Sequence, residues 1–239
     1  MLAEVDSTNA EAARVAGALT GPEWILALNQ IAGRGRRGRA WQNPRGNFAA
    51  TLVMQPDGPP DQAALRSFVA ALALFDAFVA VTGRSDGLAL KWPNDVLLNG
   101  GKVAGILLES LAVGGVASHL AIGIGVNLVD APDNAALEAG ALRPVSLASE
   151  TGCRVSPEDF LTQIAAAFAT REASLRTYGF EPTRTAWLDR AAKLGDTVTA
   201  RAAGSETTGV FETVDPKGNL VLSTPQGRTA IAAADVYFA

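Results

Sequence analysis

The chain has 239 residues, 48% of them hydrophobic and 18% charged, enough apolar material for one sizeable core and a small second one, which excludes disordered and collagen-like classes. Twenty basic against twenty-four acidic residues give a net charge of -4, so the molecule as a whole is no polycation for duplex nucleic acid or anionic lipid, and any anion site must be local. One cysteine, Cys153, and one histidine, His119, cannot supply an internal disulfide, a zinc cage or a Cys-His catalytic pair, which points to a reducing compartment.

The opening residues carry Glu4 and Asp6 and no basic stretch ahead of an apolar one, so no secretory signal is read there. The most apolar window, Phe68 to Val81, is broken by Asp76 and stops at Gly83, short of the roughly 18 to 20 residues of a membrane span. A cytoplasmic protein with no membrane partner is expected.

Thr8 to Glu11 matches a capping box and predicts a helix over about 8–19. Trp24 to Asn29 and Phe48 to Met54 read as strands flanking a loop, with Asn43 to Gly46 as turn punctuation. From Leu65 the apolar residues Phe68, Val69, Leu72, Phe75 and Val79 recur at spacings of three and four, which predicts a helix ending near Gly83. Leu88 to Trp92, Val96 to Leu98, Val103 to Leu111 and Leu120 to Leu128 follow, separated by glycine turns, as an antiparallel meander. Ser156 as cap and Pro157 at the first helical position open the longest helix, with Phe160, Leu161, Ile164 and Phe168 along its stripe. After Gly195 come the short pieces Thr197 to Ala200, Thr208 to Val214, Leu220 to Ser223 and Thr229 to Ile231, which suit a small β-barrel appended to an α+β core.

Three islands carry candidate chemistry. Gly33 to Arg39 places four arginines in six residues, spaced by glycines, in a loop able to wrap an anion; a solvated basic turn or a nucleic-acid contact is the competing reading. The same residues spell a dinucleotide fingerprint, but the third glycine opens no crossover helix, and no Gly-Lys-Ser/Thr ends a glycine loop. Lys91 to Asp95 gathers an aromatic, an amide and a carboxylate around Pro93. Close by, Lys102 is either edge protection or, with Ala104 and Gly105 behind it, part of a wall that a ligand approaches. Gly123 and Gly125 sit in an apolar run ending at Asn127, where a bulge, a tight crossing or a ligand wall would each suit.

Together these islands resemble the biotin protein ligase family: Glu4 to Asn9, Gln30 with Ala32 to Trp41, Lys91 to Asp95, Lys102 to Glu109, and Gly123 to Asn127, five ordered motifs over about residues 4–128. The resemblance implies an α+β catalytic domain (residues 1–190) with a mixed or antiparallel sheet and packed helices, and a C-terminal SH3-like β-barrel (residues 191–239), with Phe211 where a small residue is expected. It implies an ATP-dependent ligase that converts biotin to biotinyl-5′-AMP and passes it to a lysine of a biotin carboxyl carrier protein. Because the chain opens on the first motif, no repressor domain and no DNA partner are expected. A homodimer remains open.

By the same resemblance Lys102 and Arg36 are the catalytic cations. Ser7, Thr8, Asn9, Gln30, Gly33, Arg34, Gly35 and Gly105, with Arg36 and Lys102, would form the biotin site. Arg36, Arg37, Arg39, Trp41, Asn94, Asp95, Lys102 and Asn127 would line the ATP side, with Mg²⁺ arriving alongside ATP and no protein metal site. The residue types suit the step, because two anions must meet and cations must cancel their repulsion. A glycine-rich loop that orders over the intermediate would shield the mixed anhydride from water, so residues 33–41 are expected to order with ligand. A lipoate or octanoyl transferase of the same architecture, lacking such an arginine loop, is the alternative enzyme, and a nucleotide- or nucleic-acid-binding module the alternative non-enzyme.

Overall fold

Phe48–Met54 is buried at all of its positions, as an interior strand covered on both faces must be. In a computed structural model, which describes residues 1–57, 60–132, 141–202 and 204–238, this strand (β2) lies in a six-stranded sheet. The others are β1 (Glu23–Ala27), β3 (Leu88–Lys91), β4 (Asp95–Leu98), β5 (Gly101–Val113) and β6 (Val116–Val126), in the order β1-β2-β6-β5-β4-β3 with every neighbour antiparallel. The meander from β3 to β6 is as the glycine turns predicted.

The two-residue period sorts this sheet into two faces. Phe48, Leu52, Ile122 and Ile124 point to one side, where they join the main apolar core. That side is covered by α3 (Arg66–Thr82), which ends on Gly83 in the left-handed region (φ 69), and by α5 (Pro157–Tyr178). Phe160 of α5 seals the layer, its ring 5.2 Å from Phe48 and 5.4 Å from Phe78. Inside this layer Arg66 and Glu172 form a buried ion pair at 2.8 Å. As predicted, Ser156 caps α5, accepting from the Asp159 amide, and α5 has 22 residues. Two short helices, α2 (Pro60–Ala63) and α4 (Leu147–Thr151), precede α3 and α5 in the chain, and α6 (Phe180–Leu188) was not foreseen.

On the opposite face Val53 and Ala121 pack with Ala12 of the first helix, α1 (Thr8–Val15), and with Ala16 just beyond its end. The predicted capping box is a correction. Ser7, not Thr8, precedes the helix, without a side-chain cap bond, and the α-helix stops at Val15 before a 3-10 turn over Ala16–Ala18. The Thr8 hydroxyl bonds elsewhere in the fold, and Glu11 is drawn 2.6 Å from Arg14. Local capping loses to tertiary partners.

The C-terminal pieces form a separate five-stranded antiparallel sheet of β7 (Thr197–Ala202), β8 (Ser205–Val214), β9 (Leu220–Thr224), β10 (Gly227–Ile231) and β11 (Asp235–Phe238). Its order, β10-β9-β8-β7-β11, sets the last strand beside the first, as in SH3-like barrels. The β11 strand was missed in the sequence. Phe211 is buried there and faces Trp187 of α6, ring centroids 6.5 Å apart, so a large side chain bridges the small sheet to the helical layer.

Candidate active site

On the α1 face, where Ala49, Gly123, Gly125 and Gly105 present almost no side chain, the sheet floors a cavity of about 540 Å³. The predicted residues Ser7, Thr8, Asn9, Gln30, Arg34, Gly35, Arg36 and Gly105 border it, as do Arg39, Trp41, Asn94, Asp95, Lys102 and Asn127. Gly33 and Arg37 stand behind the wall. A methyl at Gly33 would collide with the Gln30 amide.

One end is polar and, apart from the Arg34–Glu109 ion pair, uncharged. The Thr8 amide and hydroxyl donate to Gln30 Oε1 at 2.9 and 3.2 Å, and Thr51 Oγ1 lies 2.6 Å from Asn9 Oδ1 and 2.8 Å from Thr8 Oγ1. Asn9 Nδ2 donates to Glu109 Oε2 at 2.6 Å, and Glu109 also pairs with Arg34 at 3.2 Å. A methyl at Gly123 would overlap the Asn9 amide, so this glycine is what lets Asn9 lie against the sheet. Ser7, Thr8 and Asn9 are all buried.

The other end is ionic. Lys102 Nζ lies 2.7 Å from Asp95 Oδ1, and Lys91 Nζ lies 3.7 Å from Asp95 Oδ2. Burial alone would push the Asp95 carboxyl up, but Lys102, Lys91 and Arg36 outweigh it and hold its pKa below the ordinary value. Burial lowers the pKa of Lys91, with Asp95 opposing, and likewise that of Arg36, with Asp235 opposing. Five cations border the cavity (Arg34, Arg36, Arg39, Lys91 and Lys102) against two carboxylates, Asp95 and Asp235, among the described residues. Such an excess favours a polyanion.

The arginine loop closes on itself at its neck, where the Trp41 amide donates to Gly33 O and the Gly35 amide to Arg39 O. At its tip is a 3-10 turn, Arg36–Gly38, in which Arg37 takes the left-handed region (φ 56). Arg36, Arg37 and Arg39 all turn to Asp235 of β11, at 3.4, 3.3 and 2.8 Å. The indole of Trp41 rests on the glycine floor and stacks near Lys102, whose Nζ is 5.6 Å from the ring centre. Asn94 Nδ2 is committed to Ile106 O at 2.6 Å, which makes Asn94 a brace between strands. Asn127 Nδ2 donates to Val145 O at 3.0 Å, while its buried Oδ1 has no partner among the described residues.

Sequence reasoning missed Lys91, Thr51, Glu109 and Asp235 as site residues. Lys91 was legible in principle, since it stands opposite Asp95 across the β3–β4 turn. Thr51 is one alternation from Ala49 on the cavity face, and Glu109 ends the motif that Lys102 begins. Asp235 carries no local signal.

Residues 193–239 match the biotin protein ligase C terminal domain, and residues 3–127, more than half of the chain, match the biotin/lipoate A/B protein ligase family. The chain is 57% identical over 238 residues to the biotin--[acetyl-CoA-carboxylase] ligase of Paracoccus denitrificans, covering 100% of this chain and 99% of that protein. The chain belongs to the biotin protein ligase family. Among other members, it is 31% identical over 213 residues to the bifunctional ligase/repressor BirA of Bacillus spizizenii, covering 89% of this chain and 65% of that protein's length. The biotin protein ligase fold of Aquifex aeolicus, solved with biotin and ATP, superposes with a TM-score of 0.82 at 23% identity, over 98% of this chain and 95% of that one. No helix among the described residues is long and apolar enough to cross a membrane.

Proposed function

We propose that this chain joins biotin to ATP, giving biotinyl-5′-AMP and pyrophosphate, and then passes the biotinyl group to a lysine of a biotin carboxyl carrier protein such as that of acetyl-CoA carboxylase. The observation that carries the reading is the full-length likeness to the Paracoccus denitrificans ligase. The cavity's division into a polar end with its charges paired and a cationic end supports it. The lipoate or octanoyl alternative loses ground to the match of residues 193–239 and to the arginine loop. The reading sets the reaction in the cytoplasm, where ATP is at hand, and divides the chain into a catalytic unit, 1–190, and a barrel, 191–239.

In the first step a biotin carboxylate oxygen attacks the α-phosphorus and the bond to pyrophosphate breaks. Lys102 offsets the charge where carboxylate and α-phosphate meet, and Asp95 holds its ammonium in place. Arg36 and Arg39 take the phosphate side, and Arg37 supports them through Asp235. Thr8 and Gln30 bind the ureido ring, with Ser7 and Asn9 closing that end. Trp41 borders the adenine, and Asn127 Oδ1 accepts from its exocyclic amine. In the second step the carrier's neutral ε-amine attacks the acyl carbon, AMP leaves, and the amine sheds a proton.

Mg²⁺ enters with ATP in this chemistry, but the donors here do not fit a resident cation. Both oxygens of Asp95 face ammonium groups, Asp235 faces three guanidinium groups, and no three His, Cys, Asp or Glu cluster among the described residues.

The test is ATP–pyrophosphate exchange dependent on added biotin. Exchange with biotin, reduced by about tenfold or more in Lys102→Ala, fits the loss of one charge-assisted contact. Exchange supported by lipoate or octanoate instead would redirect the assignment.

A further inference from the structure

Asp235 is 196 positions beyond Arg39 in the chain, on the last strand of the small sheet, yet its carboxylate is shared by three guanidinium groups of the arginine loop. We propose that Asp235 is a positioning residue that holds the phosphate-side arginines of this loop from the C-terminal sheet. The inference rests on the proposed reaction for the identity of the anion, and on geometry alone for the tether.

Four observations converge. The loop's own backbone bonds close its neck and one 3-10 turn at its tip, where the Arg39 amide donates to Arg36 O at 3.3 Å, so the guanidinium groups are placed by outside contacts. Several of those contacts run to the small sheet: Arg36 Nη1 donates to Ala234 O at 3.1 Å as well as reaching Asp235, and Arg37 Nη2 donates to the carbonyl of Arg201, which stands opposite Asp235 on β7. Arg37 is held in a left-handed conformation that a side-chain-bearing residue rarely keeps unless its surroundings impose it. The Asp235 side chain is only 13% exposed, so the shared charge is poorly screened by solvent. Without the carboxylate, three like charges would crowd one turn. A nucleotide phosphate supplies the same negative charge, so ATP is the substrate whose handling should change. The polar end around Thr8 and Gln30 touches none of these groups.

The experiment compares Asp235→Asn, of equal shape, with Asp235→Glu, which keeps the charge, in the full chain. In ligand-free protein, trypsin should cut after the loop arginines about tenfold faster in Asp235→Asn, with Asp235→Glu near the parent rate. In pyrophosphate exchange the KM for ATP should rise about tenfold in Asp235→Asn while the KM for biotin stays within about twofold, with recovery in Asp235→Glu. Unchanged cleavage, an ATP KM that is unchanged or lower, or equal rises in both KM values would overturn the proposal. A parent protein without biotin-dependent exchange would count against the proposed reaction, and the cleavage rates would still decide the tether.

Discussion

Gly105 of β5 stands directly opposite Gly125 of β6, and the Trp41 indole lies across the bare patch they make together. A methyl on Gly125 would overlap the indole, and one on Gly105 would come within 3.2 Å of it. Gly125→Ala should therefore push Trp41 off the floor into the space assigned to adenine. Its ATP KM should rise by about tenfold or more, with an altered tryptophan emission spectrum and a biotin KM near the parent value. Parent-like ATP kinetics would mean that the indole does not border the nucleotide.

Arg36→Gly removes one cation from the phosphate side while Arg37 and Arg39 keep their hold on Asp235. Preformed biotinyl-AMP should then escape about tenfold faster, measured by chase from the isolated complex or by stray biotinylation of bystander proteins. An unchanged escape rate would show that Arg36 is no clamp.

The two ends of the pH profile should answer to different residues. Burial sets the pKa of Lys91 below the ordinary 10.5, so its positive charge disappears earlier than a surface lysine's as the solution becomes alkaline. The kcat/KM for ATP should start to fall below that pH, and Lys91→Arg should carry the fall to higher pH. Asp95 behaves in the opposite sense. Its folded pKa lies below the ordinary 3.8, so its stabilising contribution is complete above that value and is lost as pH drops through the folded pKa. Asp95→Asn, which strands two ammonium groups, should cost about 3 kcal/mol at neutral pH by urea unfolding. The gap to the parent protein should narrow below pH 3.8.

Arg66 and Glu172 join α3 to α5, away from the cavity floor. Glu172→Ala leaves a buried guanidinium without its carboxylate and should destabilise the fold by about 3 kcal/mol, whereas an Arg66→Met, Glu172→Leu double variant should recover most of that loss. Equal melting temperatures for the single and double variants would contradict this account.

Legibility in the sequence followed the range of the interactions. Phe48–Met54, the meander and the helix capped by Ser156 were readable because alternation, glycine turns and caps act over a few residues. The motifs likewise brought Lys102, Arg36, Gln30 and Thr8 to one cavity. What escaped were pairings set by tertiary geometry. Thr8 looked like a cap because nothing local announces Gln30 or Thr51 as its partners. Asp235 is an ordinary strand residue until the small sheet brings it to the arginine loop. The helix Phe180–Leu188 was hidden by Pro182 in its first turn and by its short apolar stripe.

Both rims of the large sheet are already occupied in part. Leu2 and Val5 run alongside the end of β1, bonding Leu26, Leu28, Asn29 and Ile31, while Leu90 of β3 exchanges backbone bonds with Arg190 and Ala192. A second copy extending that sheet strand by strand would first have to strip away bonds the fold has made for itself. If two chains do associate by lengthening a sheet, the outer border of β10, Gly227–Ile231, is the less obstructed place for it.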